Sequence, residues 1–193
     1  EAVLTAITQA LQAAGREPDT VRSIVHGTTL ATNAIIERKG ARTALLTTKG
    51  FRDTLETARE LRYDLYDINI EFPEALVPRQ LRLGVTERTR FDGQILTALD
   101  EEELRGLLVG LEAAGVESIA VCFLHSYANP AHEEAAGRLL AAWRPELPVC
   151  LSSRVLPEIG EYGRVSTPVA NAYVRPSVAR YLGELVEALA RQG

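Results

Sequence analysis

Val21-Arg22-Ser23-Ile24-Val25-His26, then Gly27-Thr28-Thr29, then a helical run over 30–38 closed by Gly40, then Thr43-Ala44-Leu45-Leu46-Thr47-Thr48: these read as strand, tight polar turn, helix and strand. That order is the grammar of a parallel α/β sheet, in which each helix returns the chain to lay a further strand alongside. The second strand is again followed by Gly50 and helical residues over 53–60. Upstream, Val3, Ile7, Ala10, Leu11 and Ala14 recur at helical spacing, and Gly15 stands where a left-handed cap is wanted.

From 61 to 99 the pattern loosens. Tyr63, Tyr66, Phe72, Pro73 and Pro78 fall in an irregular stretch, and residues 85–91 alternate like an exposed strand before the Asp92-Gly93 turn. This region reads as an excursion from the main sheet. Order returns at Leu99-Asp100-Glu101-Glu102-Glu103-Leu104, with Asp100 as N-cap, Glu103 at the capping-box position and Leu99 stapled onto Leu104. Residues 118–124 form a continuous apolar run, as expected of a strand covered on both faces. Asn129-Pro130 opens the next helix, and Pro148-Val149-Cys150-Leu151 is a short strand. Thr167-Pro168 opens a last helical segment that Pro176 interrupts, with Val178, Leu182, Leu185 and Leu189 as its apolar face.

At 193 residues and 46% hydrophobic, the chain can build a full core without a disulfide or metal staple. It has no run of about 18 apolar residues, so no membrane partner is expected. The net charge of −5, with both signs interspersed, leaves no basic stripe for nucleic acid. The chain lacks Met and begins on a helical pattern with no signal-peptide layout, which reads as a piece of a longer protein. Cys122 and Cys150 sit in apolar stretches, the usual place for reduced, inert thiols, and a cytoplasmic location is expected.

No phosphate loop, dinucleotide turn or nucleophile elbow is present. His132-Glu133 begins like a zinc-protease helix, but position 136 is Ala, and Cys122 with His125 finds no further ligands nearby. No metal site is expected. His26-Gly27-Thr28-Thr29-Leu30-Ala31-Thr32-Asn33-Ala34 places hydroxyl and small residues between a strand end and a helix start. Free N–H groups there favour an anion; alternatively Thr28 or Thr29 simply caps the helix. Thr47-Thr48-Lys49-Gly50-Phe51-Arg52-Asp53 repeats the layout, with Arg52 as an anion ligand or paired to Asp53 or Glu56. Glu161-Tyr162-Gly163-Arg164-Val165-Ser166-Thr167 either lines a cleft or caps a helix, with Glu161 and Arg164 paired on the surface.

Taken together, these segments resemble the N-terminal region of the hydantoinase A / 5-oxoprolinase family. The resemblance rests on 26–34, Glu37-Arg38-Lys39-Gly40-Ala41, Thr47-Thr48-x-Gly50-Phe51-Arg52-Asp53, Tyr66-Asp67, Leu76-Val77-Pro78-Arg79 and Glu87-Arg88. It continues through residues 120–133 and Asn171-Ala172-Tyr173, in order and at the family's spacing.

The resemblance implies an actin-like, ribonuclease-H-related fold: α/β, with a mixed, mainly parallel sheet and flanking helices. It also implies ATP and Mg as cofactors, a cyclic amide or ketone as substrate, and a hydantoinase B-type subunit or domain as partner. The expected chemistry is phosphoryl activation of an unreactive carbonyl oxygen. Relatives that carboxylate ketones, or a purely subunit-docking role, are the alternatives. Residues 1–155 would be the N-terminal region and 156–193 the start of the hydantoinase A domain. Gly27, Thr28, Thr29, Asn33 and Arg52 are the expected cleft contacts, with His26, Glu161 and Arg164 as catalytic candidates. Two departures stand out: the family's Asp-x-Gly-Gly-Thr-x-Thr-Asp hairpin is absent, and its Glu-Tyr-Glu-Arg reads Glu161-Tyr162-Gly163-Arg164. The 193 residues alone are therefore expected not to turn over ATP.

Overall fold

The computed structural model describes residues 2–59 and 66–191. Tyr63 and the end of the helix expected over 53–60 lie outside the described residues. Four parallel strands form the central sheet in the order β2 (Arg82–Val85), β1 (Thr43–Thr48), β5 (Ser118–Cys122), β6 (Val149–Leu151). A separate antiparallel pair, β3 (Arg88–Thr89) and β4 (Ile95–Thr97), turns at Gly93, whose φ is +86°. The fold is thus mixed α/β, with a parallel sheet flanked by helices.

β1 and β5 are buried along their whole length, because helices cover both faces of the sheet. On one face lie α4 (Glu101–Ala113) and α5 (Ala131–Trp143), which present Leu104, Leu108, Leu111, Ala136 and Leu140 to the core. On the other lies the 30-residue α7 (Glu161–Ala190), through Val165, Val169 and Ala172. Short helices α3 (Thr54–Thr57) and α6 (Ser152–Val155) follow the ends of β1 and β6. At the amino end, α1 (Ala2–Ala14) is closed by Gly15 at φ +60°. Among the described residues no helix is long and apolar enough to cross a membrane.

Several expectations change on contact with the tertiary structure. Residues 21–26 are not a strand: they run unpaired and exposed, with Val25 98% accessible, because no neighbouring strand offers them a ladder within the described residues. Residues 82–85 do not belong to an excursion but form β2, an edge of the main sheet paired with β1 in parallel. Arg82 and Gly84 hide that strand from a pattern reading. The Arg82 side chain is buried, its Nε donating to Val77 O at 2.9 Å, and a Cβ on Gly84 would meet Lys49 Cα at 3.1 Å. Neither Pro168 nor Pro176 breaks the last helix, which also begins before Ser166 and Thr167. Those hydroxyl residues are therefore inside α7 and not caps.

The capping box at α4 is half made. Asp100 Oδ1 accepts from Glu103 N at 2.8 Å, but the Glu103 carboxylate turns away to Lys49 Nζ and Thr86 N. Asp100 N donates instead to Thr86 O. At α5, Asn129 Oδ1 accepts from Ala131 N at 3.1 Å, so Asn129 serves the helix start while Pro130 occupies the cap position.

Candidate active site at the strand ends

The chain leaves β1 toward β2 on one side and leaves β5 toward β6 on the other. Their carboxyl ends therefore flank the point where connections diverge, the place where open parallel sheets bind ligands. The loop after β1 brings Lys49 to Asp53 there, and the loop after β5 brings residues 123–130. The amino end of α7 closes the crevice from one face, with Gly160 at φ +119°.

A small void among Thr47, Phe51, Thr54, Cys122, Phe123, Leu124, Glu161 and Arg164 has a volume near 10 Å³, room for one water. Beside it opens a cleft of about 440 Å³ between the β1 loop, α3, Arg59 and the Glu161-Tyr162 pair.

Arg164 forms the floor. It is 2% exposed; its Nη1 donates to Phe123 O at 2.6 Å and Ser126 Oγ at 2.8 Å, and its guanidinium lies 5.4 Å from the Tyr127 ring centre. Its Nε finds no partner in the described protein. Arg164 does not pair with Glu161, which is exposed on the first turn of α7 and lines both the void and the cleft. A carboxylate at that position is favoured by the helix dipole. Arg52, in the loop after β1, is exposed, lies outside the lining of both void and cleft, and pairs with neither Asp53 nor Glu56: Asp53 binds Arg79 at 3.1 Å and Glu56 binds Arg82 at 3.0 Å.

Two buried carboxylates brace the loops behind the crevice. Glu133, fully buried on α5, accepts from Phe123 N at 2.9 Å, Ser152 Oγ at 2.5 Å and Ser153 N at 2.8 Å. Glu87 accepts from Thr48 Oγ1 and lies 2.7 Å from His132 Nδ1, while Thr48 Oγ1 also accepts from Leu124 N at 2.8 Å. In the sequence His132-Glu133 reads as an incomplete zinc motif and as part of the family resemblance, with no structural role indicated. Its role in the fold comes from partners 10 to 45 residues away, and no local signal announces it. His125, just past β5, takes φ +56°, and burial pushes the Cys122 thiol up to about 12, so it is no nucleophile at neutral pH.

The loop of Gly27, Thr28 and Thr29 lies elsewhere. It is exposed; Thr28 Oγ1 accepts from Leu30 N at 3.2 Å at the start of α2 (Leu30–Ile36), and Thr29 makes no side-chain cap. Asn33 is exposed on α2. His26 Nε2 lies 2.7 Å from Tyr181 Oη, seventeen residues along α7 from Arg164, or roughly 26 Å at the helical rise. The structure thus brings Glu161 and Arg164 together at the void, leaves Arg52 exposed in the loop after β1 and outside the lining of both void and cleft, and sets His26, Gly27, Thr28, Thr29 and Asn33 on a second surface.

Residues 1–143 match the family model for the hydantoinase/oxoprolinase N-terminal region. Caprolactamase subunit alpha of Pseudomonas jessenii is 35% identical over 97% of this chain and 28% of its own length. The crystal structure of the ATP-dependent caprolactamase from that organism superimposes with a TM-score of 0.91 at 33% identity, over all of this chain and 29% of that one. The 5-oxoprolinase of Saccharomyces cerevisiae is 34% identical over 86% of this chain and 15% of its length. A nucleotide-free acetone carboxylase, described as ATP-dependent, matches with a TM-score of 0.75 and 28% identity over 86% of this chain and 25% of that one. The chain therefore spans less than a third of each of these relatives.

Proposed function

The chain belongs to the hydantoinase/oxoprolinase family through its N-terminal region, and from that premise we propose that it forms one wall of the active cleft of an ATP-dependent enzyme that opens small cyclic amides. The observation that supports this reading most is the crevice at the diverging ends of β1 and β5, closed by the first turn of α7 with Glu161 at its mouth. In the same reading, residues 156–193 lead into the following hydantoinase A domain, and a hydantoinase B-type subunit or domain is the partner.

The donor set of the cleft fits a nucleotide's phosphates and one hydrated cation. Arg59 offers a guanidinium in the cleft lining, with Arg52 exposed in the adjoining loop and within reach of a bound phosphate in this reading, while Asp53 and Glu161 offer carboxylates. Among the described residues no three His, Cys, Asp or Glu side chains group as a closed metal cage. Mg²⁺ that keeps its waters and binds through phosphates needs only one or two carboxylates, which Asp53 and Glu161 would supply. ATP, when bound, supplies the phosphoryl group that turns an unreactive amide oxygen into a leaving group.

The chain's own residues do the positioning. Arg164 clamps the 123–126 loop against α7, so that the crevice keeps its shape without a strong base. Glu161 accepts a hydrogen bond from the substrate or holds the cation. The exposed Gly27-Thr28-Thr29 loop and Asn33 supply contacts to the remainder of the full-length protein's cleft, with His26 held by Tyr181 to orient the loop.

The structural likeness to acetone carboxylase favours a second reading, an ATP-dependent ketone carboxylase subunit. Following ATP hydrolysis by the full-length protein with its partner separates the two. Stimulation by 5-oxoproline, hydantoin, N-methylhydantoin or caprolactam supports the amide reading, and stimulation by acetone with bicarbonate supports the ketone one. Joint Thr28→Val and Thr29→Val replacement is expected to lower activity without unfolding the protein; lost assembly with intact turnover would move that loop to subunit docking.

A further inference from the structure

Among the described residues β6 is the last strand of the parallel sheet and is hydrogen-bonded to β5 on one side only. Ile119 N donates to Pro148 O at 2.9 Å, so alternation turns the backbone groups of Cys150 toward β5 and those of Val149 and Leu151 outward. The edge is not flush with the surface. Side chains of α5 and α7, from opposite faces of the sheet, stand beyond it and leave a groove of about 630 Å³ floored by β6.

Three guanidiniums line that groove: Arg138 from α5, Arg154 from α6 and Arg175 from α7, against the single carboxylate of Glu134. None of the three forms an ion pair among the described residues, although the chain as a whole carries −5. Arg175 Nη1 donates to Val149 O at 3.0 Å. It thereby supplies the outward carbonyl with the donor that a neighbouring strand's N–H would otherwise provide.

We propose that this groove docks an extended, acidic segment of another polypeptide, which adds to β6 as a fifth strand. Main-chain hydrogen bonds to Val149 and Leu151 give such a segment its alignment, and its carboxylates meet Arg138 and Arg154 on the walls. Arg175 leaves Val149 O as the incoming N–H takes its place and turns to a carboxylate. The groove is independent of the crevice at the strand ends, and the proposal does not depend on the enzymatic reading.

The test is a titration of the ¹⁵N-labelled chain with a blocked heptapeptide that alternates valine with aspartate or glutamate, at low ionic strength. Saturable shifts centred on the Val149 and Leu151 amides are expected. The same peptide with proline replacing alternate residues, and so lacking those N–H groups, is expected not to bind. Joint Arg138→Glu and Arg154→Glu replacement, at two exposed positions whose folding is checked by circular dichroism, is expected to weaken binding by about tenfold or more. Absence of binding by the acidic peptide would overturn the proposal and leave the arginines as protection of a free edge. Equal shifts from the proline peptide or from inorganic phosphate would also overturn it, marking a simple anion site.

Discussion

Cys122 Sγ donates to the backbone oxygen of Arg164 at 3.3 Å. α7 runs through Pro168, which has no N–H to return to the residue four back, so that oxygen loses its helical donor. The thiol of a central strand replaces it and ties β5 to α7 just where Arg164 enters the crevice. Burial keeps the thiol protonated, with its pKa pushed up to about 12. Cys122→Ala is expected to cost about 1–3 kcal/mol through the lost donor and the small cavity, read as a lower urea midpoint. Cys122 should react with a disulfide reagent only after unfolding; rapid labelling of the folded protein would contradict its burial.

Glu133 is a second brace. Its two oxygens accept from Phe123 N, Ser152 Oγ and Ser153 N, all in the interior behind the crevice. Glu133→Gln keeps one acceptor but faces an N–H₂ toward backbone donors, and about 2–4 kcal/mol of destabilisation is expected. Equilibrium denaturation checks this; an unchanged midpoint would mean the loops hold without it.

Glu161 and Arg164 share a helix turn and are expected to separate in their effects. Arg164→Lys loses the paired donation to Phe123 O and Ser126 Oγ and the Tyr127 stacking, so stability should fall by about 2–3 kcal/mol along with activity. Glu161→Gln, exposed and without a structural partner among the described residues, should cost no more than about 0.3–1 kcal/mol through the lost helix-dipole interaction and lower turnover of the full-length enzyme. Full activity in Glu161→Gln would remove that carboxylate from the site.

Acid should loosen the β1 loop through Glu103. Hydrogen bonds from Lys49 Nζ, first, and from Thr86 hold its pKa down from 4.5 to about 2. A group depressed on folding contributes its stability in full above the unfolded value, and loses it as pH falls from about 4.5 toward 2. Wild-type stability is therefore expected to fall over that interval more steeply than in Glu103→Gln, as read by melting temperature against pH. Parallel curves for the two proteins would rule Glu103 out as the acid-sensitive group.

Gly40 sets the approach of the segment after α2 to α7. A Cβ there would overlap the Tyr173 ring, while Ala41 N donates to Tyr173 O at 2.8 Å. Gly40→Ala is expected to cost about 1–3 kcal/mol by overpacking. Joint replacement with Tyr173→Leu should recover part of that loss, which a double-mutant cycle measures.

The amino-acid sequence by itself determined the parallel α/β architecture, because the period of its apolar residues and the placement of Gly15, Gly50, Asp100 and Asn129 are local signals of where elements begin and end. It also singled out Glu161 and Arg164, which the structure places together in the first turn of α7 where they line the void at the strand ends. Only the tertiary structure decided what pairs with what. Arg82-Leu83-Gly84-Val85 becomes a strand because β1 supplies its ladder, and a Cβ at Gly84 would press on Lys49 Cα at 3.1 Å. Val21 to His26, the better strand by pattern, stays unpaired because strand formation requires a neighbour and not only a pattern. Pro168 passes through α7 because Cys122, far away in sequence, takes the freed carbonyl. The same reason separates the exposed Gly27-Thr28-Thr29 loop from the crevice: distance along α7 is a property of packing, which no run of residues contains.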